Sequence, residues 1–83
     1  MIFNNREHIL YILADDSNSI LHFGVTDDPL DCCIQKLVFY ERYDSLADAT
    51  IRYKNLIHQS KDDTVALIEK DNPRWDDLYD DLA

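Results

Sequence analysis

Glycine is almost missing from this chain: Gly24 is the only one among 83 residues. That excludes flexible glycine linkers and glycine-rich phosphate loops. No apolar run approaches membrane-spanning length. The opening MIFNNREH lacks the charged-then-apolar pattern of a signal peptide, so a cytoplasmic location is the default expectation. Cysteine is limited to Cys32 and Cys33. Adjacent cysteines rarely bridge each other, because so short a ring strains the disulfide. With no further Cys nearby they also make a poor zinc site, and they read as two small apolar residues in a reduced compartment.

Basic residues are scarce as well. Asp and Glu number 17 against 8 Lys and Arg, a net charge of −9, and the acid is spread along the whole chain. Such a surface repels nucleic-acid phosphates, whose binding rests on Lys and Arg displacing counterions. Nucleic acid is therefore an unfavourable partner. A soluble acidic surface or a protein partner with a basic patch fits better. The apolar fraction, 46%, is that of an ordinary folded domain, and the length allows one small core. One domain over residues 1–83 is expected.

What is present is organised around His8 to Val25, HILYILADDSNSILHFGV. Two apolar runs rich in Ile, Leu, Tyr and Phe flank the turn residues Asp15 to Ser19, which predicts a β-hairpin. Neither run alternates cleanly, so both faces of the hairpin are expected to be covered. Gly24 would admit another backbone or mark a bulge. Asp28 as N-cap and Pro29 at the first helical position predict a helix of about two turns. It must be short, because Lys36 already begins a third strand, KLVFYERY.

Ser45 followed by Asp48 is a weak capping box for a helix, with Leu46, Ala49, Tyr53, Leu56 and Ile57 at helical spacing. Ser60 to Asp63 starts another, given a buried character by Val65 to Ile68, and acids in its first turn suit the helix dipole. Asn72 as N-cap, Pro73 at the first position, and the stripe Trp75, Leu78, Tyr79 and Leu82 predict a last helix. Asp76, Asp77, Asp80 and Asp81 fall off that stripe. The expected fold is α+β in the order β-β-α-β-α-α-α, with a three-stranded antiparallel sheet flanked by helices.

These residues resemble the GIY-YIG endonuclease superfamily, and most closely its small single-domain bacterial members. The hairpin around Ile9-Leu10-Tyr11 and His22-Phe23-Gly24, the segment KLVFYERYDSLADA and the ending ALIEKDNPRWDDLYDDL carry the resemblance. It implies a sheet of three antiparallel strands and a phosphodiester-cutting site. In the family that site combines a tyrosine from each hairpin strand, an arginine and often a histidine on the first helix, a metal-binding glutamate on the next helix and a late asparagine. A tyrosine or histidine moves the proton, while Mg²⁺ or Mn²⁺ and the arginine stabilise phosphoryl charge.

This chain departs from that pattern. Tyr11 matches the first tyrosine, His22 replaces the second, and Asn72 matches the asparagine. Cys32 stands at the arginine position, Lys36 at that of the histidine, and Tyr53 at that of the glutamate. Mg²⁺ sites usually rest on one or two carboxylates, so the lost glutamate has no easy substitute. The resemblance thus implies a catalytically inactive domain without cofactor, acting as a protein-interaction module. Each survivor also has a plain structural role: Tyr11 and His22 as core residues, Asn72 as a helix cap, Tyr53 in its own apolar stripe and Trp75 as core anchor. One alternative is a metal-dependent endonuclease with a rebuilt site, in which Tyr11 and His22 work with Glu41 or Glu69. Another is a DNA mimic using acids such as Asp76, Asp77, Asp80 and Asp81. The short first helix predicts exposed apolar surface, and hence a homodimer or partner, over Cys32 to Leu37.

Overall fold

The computed structural model of the chain describes residues 8–26 and 35–78. Within them lie three strands and two helices: β1 (His8–Ala14), β2 (Ile20–Thr26), β3 (Lys36–Tyr43), α1 (Leu46–His58) and α2 (Lys61–Asp71). The sheet is antiparallel in the order β2-β1-β3. The helix expected from Pro29, together with Cys32 and Cys33, lies outside the described residues.

The hairpin forms because its turn supplies its own hydrogen bonds. The Asp15 carboxylate accepts from the Ser17 and Ser19 N–H groups at 2.9 and 3.0 Å, and the Asp15 N–H donates to the Ser19 carbonyl. Asn18 takes φ 62°, a left-handed conformation that Asn tolerates, and its side chain accepts from Lys36 Nζ at 2.8 Å. β1 is central, and its burial explains its unbroken apolar run. Leu10, Ile12 and Ala14 are fully buried on one side, while Ile9 and Leu13 are buried on the other. The register slips once against each neighbour, beside Leu13, as a β-bulge does.

Both helices begin at the expected serines. Ser45 Oγ accepts from the Ala47 and Asp48 N–H groups, and Ser60 Oγ from that of Asp63. α1 buries Ala49 and Leu56, and α2 buries Thr64 and Ile68. Leu56 and Ile68 join Leu10, Ile12, Ala14, Val38, Phe39 and Trp75 in one core. Two members of the predicted α1 stripe stay out of it: Leu46 and Ile57 are exposed by 56% and 44%.

The last helix is not formed over residues 72–78; residues 79–83 lie outside the described set. Asn72 ends α2 instead of starting a new helix, its N–H donating to the Ile68 carbonyl. Trp75 then takes φ 56°, which an α-helix of L-residues does not contain. Tertiary contacts outweigh the local signals. The Trp75 ring is buried and its Nε1–H donates to Glu69 at 2.7 Å. The Leu78 N–H donates to the Leu37 carbonyl at 2.7 Å, and the Leu37 N–H donates to Asp77 Oδ1 at 3.2 Å. Residues 72–78 therefore strap onto the start of β3. Leu37, expected at an exposed patch, is fully buried. Over the described residues the order is β-β-β-α-α; of the expected β-β-α-β-α-α-α, the last helix is replaced over residues 72–78, and the helix between the second and third strands falls outside the described residues.

Candidate functional site

Tyr11 sits opposite Gly24 in the β1–β2 ladder, and His22 opposite Leu13. Alternation along the strands puts Tyr11, His22 and Gly24 on one face of the sheet. The Tyr11 ring lies directly over Gly24. A Cβ at that position would overlap the phenol, so the missing side chain is what makes room for the ring. The His22 ring is tilted by 44° to that of Tyr11, with centroids 5.8 Å apart. His22 is exposed, which corrects the expectation of a core histidine: among the described residues β2 is the last strand on its side of the sheet and nothing covers its ring.

An open cleft of about 400 Å³ joins these residues to α1. Tyr11, His22, Phe23, Gly24, Val25, Thr50 and Tyr53 line it. Three sequence-selected positions, Tyr11, His22 and Tyr53, thus meet around one space. Lys36 and Asn72 do not: Lys36 Nζ donates to Asn18 Oδ1 at 2.8 Å, at the far end of the hairpin. Asn72 is buried and works as a structural tie: Nδ2 donates to the Val38 and Asp76 carbonyls, each at 3.0 Å, and Oδ1 accepts from the Asp76 N–H at 2.9 Å. Its expected role as N-cap of a last helix is replaced by this bracket. Cys32 lies outside the described residues.

The cleft's chemistry is aromatic and hydroxylic. Among the described residues no carboxylate and no guanidinium lines it, and no group of three His, Cys, Asp or Glu could hold a metal ion. These donors do not fit Mg²⁺, which binds through carboxylates and phosphate oxygens. The two acids considered as substitutes are engaged elsewhere. Glu41 accepts from Arg52 Nε at 3.0 Å, from Nη2 at 3.4 Å and from the Tyr43 hydroxyl at 2.7 Å. Glu69 holds Trp75. Burial, reinforced by the hydrogen bond and charge of Glu41, pushes the Tyr43 hydroxyl up to about 12. The same carboxylate holds the Arg52 guanidinium above its usual range. This α1–β3 clamp is structural.

Sequence reasoning passed over two residues on Tyr11's face. Tyr40 is its ladder partner on β3, and Arg42 follows two residues on. The Arg42 guanidinium carbon lies 5.7 Å from the centroid of the Tyr40 ring, a cation–π contact. Strand alternation through KLVFYERY was the available signal. The acids proposed for mimicry of DNA are not arrayed on a helix over the described residues, and Asp77 is occupied by the Leu37 N–H. No described helix is long and apolar enough to cross a membrane. No family model, curated protein or solved structure matches the chain.

Proposed function

We infer that this domain is a GIY-YIG-like fold without a working nuclease centre, serving as a protein-binding module with an acidic surface. One observation carries the reading. The residue at the family's glutamate position, Tyr53, lines the same cleft as Tyr11 and His22, so an aromatic ring stands where the resemblance expects the metal's carboxylate. The net charge of −9 supports it further, since it opposes binding of a phosphate backbone. The partner most compatible with that charge is a protein with a basic patch.

The test is incubation of the full chain with nicked and branched DNA in Mg²⁺ or Mn²⁺. No cleavage above the protein-free control is expected. Metal-dependent cleavage that Tyr11→Phe abolishes would overturn the reading. A rebuilt nuclease is the second reading, favoured by one juxtaposition: Tyr11, His22 and Arg42 share a sheet face, placing a phenol, an imidazole and a guanidinium on one surface. It requires a carboxylate that the described lining does not supply.

A further inference from the structure

A hollow of about 270 Å³ opens at the end of α2. It lies on the β3 side of the sheet, whereas the Tyr11–His22 cleft lies on the β2 side. Among the described residues, Val38, Phe39, Ile68 and Leu78 give it apolar walls, and Asp71 adds a carboxylate. The Asn72 amide at the same hollow is already engaged with Val38 and Asp76. The Asp71 side chain is not: no hydrogen bond or ion pair joins it to any described residue.

Asp71 is out of pattern in two ways. Thr64, Ile68 and Asp71 are spaced i, i+4, i+7, and the first two are buried, so the third continues the core face to the end of the helix. An apolar residue belongs there. A carboxylate stands instead, exposed where that face meets the hollow. The last turn is also where the helix dipole opposes an anion. The same dipole favours Asp62 and Asp63 in the first turn. The exposed Asp76, whose N–H is held by Asn72, adds a like charge nearby. Nothing described offsets these costs. Lys70 stands roughly 100° around the helix from Asp71, and neither it nor Arg74 pairs with that carboxylate.

We propose that this hollow receives an arginine or lysine side chain of a basic protein partner, with Asp71 as its counter-ion. This deepens, and rests on, the reading of the domain as a protein-binding module. Such a side chain suits both parts of the site. Its methylene stem packs along the apolar walls, and its charged head meets the carboxylate. The end of α2 favours the same cation. A neutral apolar side chain would fill the walls and leave Asp71 unmatched, and an acidic one would add to the repulsion. At longer range the net charge of −9 draws a basic surface toward the domain.

The experiment is titration of the full isotope-labelled chain with acetyl-Gly-Xaa-Gly-amide peptides, in which Xaa is arginine, lysine, norleucine or glutamate, followed by the amide shifts in NMR spectra. The arginine and lysine peptides should move the amides of Phe39, Tyr40, Asp71 and Leu78, and should bind about threefold or more tighter than the norleucine peptide. The glutamate peptide should leave those amides in place. Asp71→Asn should abolish the preference for the cationic peptides. Asp62→Asn, the same charge change at the exposed start of α2, should preserve it. Asp71→Asn should also raise the melting temperature by about 1–8 °C, because the carboxylate opposes the helix dipole without a partner in the fold. Norleucine binding as tightly as arginine and lysine, or a preference that survives Asp71→Asn, overturns the proposal. So does a melting temperature that falls, which would show the carboxylate to be held within the fold. A dimer that Asp71→Asn converts to monomer would assign the hollow to a second copy and overturn it equally. Metal-dependent DNA cleavage would remove the underlying reading. An inert protein whose hollow shows no preference for a cation removes only this assignment.

Discussion

Replacing Asn72 probes the segment where the sequence pattern and the fold disagree. Asn72→Ala removes three hydrogen bonds: two donated by Nδ2, to Val38 and Asp76, and one accepted by Oδ1 from Asp76. At about 1 kcal/mol net for each bond, plus the penalty for a buried Val38 carbonyl left without this donor, the loss is about 3–4 kcal/mol. An 83-residue domain is expected to have a total stability of about 4–12 kcal/mol. The melting temperature should therefore fall by about 12–32 °C. Asn72→Asp is the sharper variant. It keeps an acceptor for the Asp76 N–H but sets a carboxylate against two carbonyls. It should cost at least as much as Ala at neutral pH. Because burial raises its folded pKa, it should recover stability as the pH falls and the carboxyl protonates. Thermal melts followed by circular dichroism and by the emission of Trp75, the only tryptophan, read both variants. At a helix N-cap, Asp serves as well as Asn. If Asn72→Asp melts within about 2 °C of wild type, a helix starts at Pro73 and the bracket described here is wrong.

Two further perturbations test local geometry. Gly24→Ala should destabilise the domain by about 1–3 kcal/mol, because the new methyl must displace the Tyr11 ring. In a Tyr11→Ala background most of that loss should vanish in a double-mutant cycle of denaturant midpoints, and an unchanged penalty would show that the ring is not the obstacle. Glu41→Gln should bring the Tyr43 hydroxyl down from about 12 toward its ordinary 10.0, read by ultraviolet titration of the folded protein. The sign for stability follows: a folded pKa raised above the unfolded one gives wild-type stability that is full below pH ~10 and lost as pH climbs through ~12. A Tyr43 titration unmoved by Glu41→Gln would rule out the clamp.

Much of the site was legible in sequence because it rests on local rules. Tyr11, His22 and Gly24 sit on a hairpin whose turn is specified by Asp15 and Asn18, and strand alternation then dictates which of them share a face. Tyr53 could be placed on a helix by its cap at Ser45. That Tyr53 reaches the Tyr11–His22 cleft depends on how α1 docks, which no local signal contains. The exposure of Leu46 and Ile57 was hidden for a related reason: in the sequence they share helical spacing with Ala49 and Leu56, and only packing separates the covered pair from the exposed one.

The sequence by itself determined the three strands, the hairpin turn, the two capped helices and the excess of acid, since each follows from residue chemistry within a few positions. The tertiary structure alone decided the fate of residues 72–78. Asn72, Pro73 and an apolar stripe are good helix signals, yet a helix there would forgo the Val38 and Leu37 bonds and the burial of Trp75. Local propensity amounts to fractions of a kcal/mol per residue, and a buried indole with a set of buried hydrogen bonds outweighs it.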